Sequence, residues 1–292
     1  MPAQSAVRAL ALAIGLLGGP ICGAQDATPT ETPPPRDSDG RVILGSAPGN
    51  VGSWEGFGTR PMLTFFDEIP EGSIIAYTPY DDVLTMQARN EDLFPKIKLS
   101  EVPFQPWARA LFDARSRTRF EPYTRCKPSA GPREVATAYG TQFVEFPAMQ
   151  KIYLFPTGGP RHYREIWMDG RAHPEQIQPS YHGHSIGHWE GDTLVVDTIG
   201  FNEKMWFDAE GSPHTEQLHL VERFTRLSQE RLKYEVTIED PGAYTQPWSS
   251  GFYMTWTPGE SFQFVCQDQN MAFELMLGTE YQNMDRSQPI FP

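Results

Sequence analysis

Apolar and polar residues alternate most clearly between positions 218 and 239. Leu232, Tyr234, Val236 and Ile238 share one parity, and Lys233, Glu235, Thr237 and Glu239 share the other. That two-residue period is the mark of a half-buried strand. Positions 218–226 alternate too. Leu218, Leu220 and Glu222 fall on one face, His219, Val221 and Arg223 on the other, and one of these faces is expected to line a barrel interior. Shorter runs at 142–146, 151–155, 162–168, 185–189 and 193–197 are rich in aromatic and β-branched residues. Turn signals separate them, among them Asp169-Gly170 and the hairpin Glu190-Gly191-Asp192. Two more strands, 252–257 and 261–267, are expected to meet at Pro258-Gly259. Short strands at this spacing predict a mainly β fold, an antiparallel barrel or strongly curved meander sheet. One or two short helices are expected beside it. In one of them Pro106 sits at a first helical position, and Trp107, Ala110, Leu111 and Ala114 share a face. Arg109, Arg115, Arg117 and Arg119 cover the rest, either as an anion site or as a solvated face meeting local carboxylates. Positions 81–90 also read as helix.

The chain divides unevenly. Positions 1–24 read as a secretory signal peptide: Arg8, then an apolar run, then Cys22-Gly23-Ala24 with cleavage after Ala24. The run falls short of the ~20 residues of a membrane span, and no later stretch is apolar enough for one. Positions 25–40, rich in Pro, Thr and Asp, predict a disordered leader. Positions 41–292 read as a single β-rich domain, with a loop and helix wrap over 41–125 and the β core over 126–268. Export predicts a periplasmic or extracellular protein.

Charge and cysteines refine this. There are 24 Lys and Arg against 37 Asp and Glu, a net charge of −13. That balance argues against nucleic-acid binding, which requires clustered cations. Signal removal takes away Cys22 and leaves Cys126 and Cys266, which in an exported protein are expected to pair as a disulfide rather than remain two buried thiols.

Candidate chemistry concentrates in one stretch. All seven histidines lie between His162 and His219: His162, His173, His182, His184, His188, His214 and His219. Histidine suits both proton transfer near neutral pH and metal ligation. Carboxylates are interleaved, including Glu190, Asp197, Glu216 and Glu222. Three readings follow. The leading one is general acid–base catalysis on a small, partly apolar organic molecule, of isomerase, lyase or hydrolase type, without a cofactor. His184, His214 and His219 would carry protons, oriented by Asp197 or Glu216. Arg171, His173, Trp189 and Arg223 would bind the substrate. The second is a non-catalytic ligand-binding β-barrel. The third is a metal-dependent enzyme, since His182-x-His184 puts two imidazoles on one side of an extended chain. The string Gly183-His184-Ser185-Ile186-Gly187 matches a nucleophile elbow in letters, but a hairpin and strand follow where that motif needs a helix.

The core Gly183 to Thr198, GHSIG-x-WEGDTLVVDT, resembles a group of exported bacterial proteins with no agreed activity. The turn Asp169–Pro174, the segment Pro213–Glu216, the stretch Ile238–Trp248 and the run Cys126 to Arg133 are similar to the same group. The resemblance implies export and puts His173, His184 and His214 in shared motifs. It leaves His182 and His188 at open positions, which weakens the paired-imidazole metal site. The acid–base reading expects His173, His184, His214 and His219 to converge around one concave pocket.

Overall fold

A computed structural model of the chain describes residues 31–56, 99–118, 121–136, 139–160, 162–206, 208 and 211–266. The signal segment 1–24, the helix read at 81–90, and Arg119 lie outside the described residues.

Nine strands close into a barrel in chain order: β1 (Gly52–Glu55), β2 (Thr141–Phe146), β3 (Lys151–Pro156), β4 (Arg164–Trp167), β5 (His184–Glu190), β6 (Thr193–Ile199), β7 (His219–Arg226), β8 (Arg231–Glu239) and β9 (Trp248–Pro258). The last strand pairs with both β8 and β1, which removes the open edges. Among the described residues two α-helices accompany the barrel, α1 (Pro106–Thr118) and α2 (Pro132–Val135). The fold is therefore mainly β, as the alternation predicts.

Two details differ from the sequence reading. The barrel is mixed, because β4 and β5 run parallel, with Ile166 opposite Ser185. A parallel pair needs a long connection instead of a hairpin, and residues 168–183 provide it. Of the expected strand at 261–267, the described residues 261–266 form no strand. After the turn at Gly259 the chain leaves the sheet, and Phe262 and Phe264 pack on Tyr139 at ring separations of 6.1 and 5.1 Å. The expected partner of that hairpin is instead one long strand, β9. Conversely, β1 is a strand in a stretch that carries no periodicity.

Strand parity decides the interior. Leu232, Tyr234, Val236 and Ile238 of β8 are buried, facing Leu220 and Phe224 of β7 and Phe252 and Met254 of β9. Aromatic edges fill the middle: Trp54 meets Trp256 at 5.0 Å, and Phe143 meets Phe224 at 5.2 Å. Each such side chain stabilises by roughly 1.5–3 kcal/mol on leaving water.

Residues 31–50 wrap one end of the barrel. The leader expected to be disordered is held there from residue 31 onwards. Arg36 makes a two-pronged pair with Asp192 at 2.8 and 2.6 Å, and Thr32 accepts a hydrogen bond from the Gln229 amide. Arg226 anchors the segment by donating to the carbonyls of Ile43 and Gly45 while stacked near Trp54 and Trp256. Cys126 and Cys266 form the expected disulfide. Among the described residues no helix is long and apolar enough to cross a membrane.

Candidate functional site

Neighbouring residues of a strand point to opposite faces, so the histidine-rich motif splits across the barrel wall. On β5, His184 faces outward and Ser185 is buried inside. On β6, Asp197 faces out and Thr198 in. On β7, His219 faces out and Leu220 in.

The outward set converges. His173 stands on the connection 168–183. Its Nε2 lies 3.0 Å from Asp197 Oδ1, and its Nδ1 lies 2.8 Å from Nδ1 of His184. His219 Nε2 reaches the same Asp197 oxygen at 2.9 Å, and its Nδ1 lies 3.4 Å from Glu239. Gly183 makes this placement feasible. Its backbone is left-handed, at φ +64°, and a Cβ there would meet the Ile199 carbonyl at 2.5 Å.

The network assigns the protons. A carboxylate accepts only, so His173 donates from Nε2 to Asp197. In the neutral form of the ring, His173 Nδ1 then carries the lone pair and accepts from His184 Nδ1–H. The lone pair of His184 is left on Nε2, which no described residue engages. Partial burial, with His173 and Arg171 beside it, lowers the His184 pKa below the ordinary imidazole value against the pull of Glu165. The ring is therefore neutral at pH 7, as a proton acceptor requires.

The other expected site residues are placed as follows. Arg171 is near His184, though its guanidinium grips Asp169 and lies 3.5 Å from the Trp167 ring centre. His214 is buried elsewhere, its ring nitrogens facing the carbonyls of Met205 and Thr215, where it braces a turn. Glu216 is exposed on the turn before β7. Arg223 lies on the outer face but pairs with Glu190, which His188 also contacts. Trp189 stands five residues beyond His184, ~17 Å along the strand, and is of inward parity. It lines a cleft of about 200 Å³ with Arg41 and Glu145. A second cleft of about 360 Å³ lies between residues 37–46 and β2. Neither of these two clefts is lined by a histidine. Three of the four histidines meet on a wall, and His214 does not join them.

The paired-imidazole metal site is not assembled either. His182 turns to the buried Glu134, 3.8 Å away, while His184 turns to His173. Among the described residues no group of three or more His, Cys, Asp or Glu is arranged to hold a metal ion.

The sequence reading missed a second polar set, inside the barrel. Arg164 of β4 donates to Ser185 Oγ at 2.9 Å, to Thr198 Oγ1 at 2.6 Å and to Glu222 of β7. Tyr234 donates to the other Glu222 oxygen at 2.9 Å. Glu134 of α2 completes the set, 3.9 Å from Arg164. Arg164, Glu134 and Glu222 are essentially inaccessible to solvent. Burial works against the Arg164 charge, but Glu222 and Glu134 outweigh it and raise its pKa. Burial, with Glu222 beside it, pushes Glu134 up to about 8 despite Arg164. Burial, His162 and Arg164 push His182 down to about 3. The available signal was parity: Arg164 alternates in step with Ile166, and Glu222 with Leu220 and Phe224, so charges occupy apolar positions.

Compared with protein families, with curated proteins and with solved structures, the chain finds no match, and its functional reading rests on these two sets of side chains.

Proposed function

We propose that the protein is an exported enzyme that moves protons on a small, partly apolar organic molecule, by isomerisation, elimination or hydrolysis. One observation carries this reading: His184, His173 and Asp197 form a hydrogen-bonded chain of 2.8 and 3.0 Å, with His184 Nε2 at its free end. His184 is the general base, and the same ring returns the proton as general acid. His173 and Asp197 are positioning residues, and Asp197 stabilises the positive charge that develops along the chain. His219 holds Asp197 in place.

The neighbouring surface supports the substrate class. Tyr153 donates to Glu165 at 2.9 Å, and Glu165 acts on His184. Around Tyr153 lie Phe146, Phe155 and Tyr163, all three exposed, at ring separations of 5.6, 6.0 and 5.6 Å. An aromatic platform beside a proton acceptor suits a molecule with an apolar body and one polar reacting group. The disulfide agrees with export.

The test is turnover of a panel of aryl esters, lactones, β-hydroxy acids and cyclic ketones by the full chain. General acid–base catalysis contributes ~10²–10⁴-fold, so His184→Ala and Asp197→Asn should each lose about 100-fold or more with the fold intact. Activity should fall on the acid side as His184 protonates, below the ordinary imidazole range. Undiminished turnover in His184→Ala, or no turnover of any class, would overturn the reading.

A further inference from the structure

The barrel end wrapped by residues 31–50 holds a cleft of about 200 Å³ that the proposed reaction does not use. Strand parity builds its wall. Glu145 of β2 shares the parity of buried Phe143, Ile152 of β3 is buried, and Trp189 of β5 shares the parity of Ser185. Met168 follows β4 in step with buried Ile166. Gly187 is the inward position before Trp189 and has no side chain. A Cβ there would meet Met168 Sδ at 2.7 Å, so the bare backbone is what leaves the thioether its place in the mouth. Arg41 comes from the wrap, its guanidinium 5.4 Å from the Trp189 ring centre.

Size and charge define the guest. An apolar cavity of about 150 Å³ holds one benzene ring, so this cleft fits a single ring with a small substituent. Ile152, Met168 and Trp189 offer that ring apolar and aromatic contact, and the mouth of a barrel is a usual place for such a site. The charges along the cleft already have partners. Arg41 lies 3.2 Å from Asp37 and 3.5 Å from Glu145, and Lys151 bonds Glu165 at 2.7 Å. A cationic guest would find Arg41 already beside the Trp189 ring, and an anionic one would come up against Glu145. The Gln150 side chain is different. It is exposed, lines the cleft and makes no hydrogen bond among the described residues. Its amide offers both donors and an acceptor, which suits one hydroxyl or carbonyl group.

We propose that this mouth is a second ligand site, which takes an uncharged single-ring aromatic molecule carrying one hydroxyl or carbonyl group. The ring lies against Trp189, Met168 and Ile152, and its oxygen meets the Gln150 amide. The site stands ~17 Å from His184 along β5 and does not depend on the outer histidines.

The test is saturation-transfer NMR on the full chain at pH 7, with p-cresol and acetophenone as probes and benzoate and benzylammonium as charged controls. At least one probe should bind, and both controls should bind about tenfold or more weakly, since neither gains a counter-charge for the water it gives up. Trp189→Ala should weaken probe binding about tenfold or more, as the loss of an aromatic contact implies. Gln150→Gly serves if that variant does not fold. Position 150 is exposed and left-handed, at φ +49°, a conformation that glycine adopts readily. Losing one hydrogen bond there should weaken binding about two- to tenfold. Phe155→Ala and His184→Ala should leave probe binding unchanged, which separates the mouth from the outer aromatic platform and from the proposed reaction. No binding of either probe at millimolar concentration, a charged control bound as tightly as the probes, undiminished binding in either folded variant, or binding lost in Phe155→Ala would overturn the proposal.

Discussion

Ionisable side chains gather on both faces of the wall formed by β5, β6 and β7, and the two sets behave in opposite ways. Outside, His173, His184 and His219 gather on one carboxylate, Asp197, whose side chain is 37% exposed. Water screens these contacts, and the charges can change with pH at little cost to the fold. Inside, Arg164, Glu222 and Glu134 are shut off from water. There every proton and charge is bound up with the packing of the barrel. The outer set can thus change charge with pH, while the inner set is locked into the packing of the barrel.

The comparison is tested most severely by removing one inner charge. Glu222 accepts from both Arg164 and Tyr234. Glu222→Ala strands a buried guanidinium and should cost about 3–5 kcal/mol. Chemical denaturation should show the midpoint collapsing or the barrel failing to form. A loss of under 1 kcal/mol would mean that the inner charges are solvated like the outer ones.

A smaller effect should appear in the pH dependence of stability. The folded pKa of Glu134, about 8, lies above its unfolded value of 4.5. The folded state therefore binds more protons than the unfolded one across that window, and stability falls as pH rises from 4.5 to 8. His182 acts in the other direction. Its folded pKa of about 3 lies below 6.5, so stability is lost as pH falls through that range. The two oppose each other between 4.5 and 6.5, and Glu134 alone remains from 6.5 to 8. The groups facing Glu134 are Arg164, His182 and Glu222, with Tyr234 behind Glu222. The expected decline from pH 6.5 to 8 is on the order of 2 kcal/mol, and Glu134→Gln should abolish it. A decline that persists in the variant would assign it elsewhere.

How much of this was legible in the sequence follows from parity. The period of β8 shows directly that Leu232 and Tyr234 share a face, and apolar content says that the face is inward. In β7 the same period separates His219 from Glu222. It does not say which face is wet, because each holds both charged and apolar residues. Only the pairing with β8 settles that, through Leu220 opposite Ile238 and Glu222 opposite Val236. The parallel β4–β5 pair was hidden for a similar reason: a connection such as 168–183 looks the same whether it ends in a parallel or an antiparallel neighbour. Yet it is this connection that brings His173 to Asp197. Glu134 left no periodic trace, since α2 is too short to show one. The placement of His214 was not legible either, because a buried ring that faces backbone carbonyls has the same letter as one that meets other histidines.

The finest contrast is between two consecutive residues of β6. Thr198 accepts from Arg164 at 2.6 Å inside the barrel and shares a hydrogen bond with Ser185 at 2.9 Å. Thr198→Val keeps the shape, removes the acceptor and leaves a buried donor unmet, for an expected loss of about 1–3 kcal/mol. Asp197, one residue earlier, accepts from two histidines at the solvent boundary. Asp197→Asn keeps a carbonyl oxygen there to accept them, and exposed ion pairs are worth about 0–1 kcal/mol. Its stability loss should therefore be under about 1 kcal/mol, even though the same change should remove most of the proposed activity. Denaturation curves for the two variants decide the matter. If Asp197→Asn destabilises as much as Thr198→Val, the outer histidines are fastening the 168–183 connection to the barrel, and the tautomer they set is a by-product of that fastening.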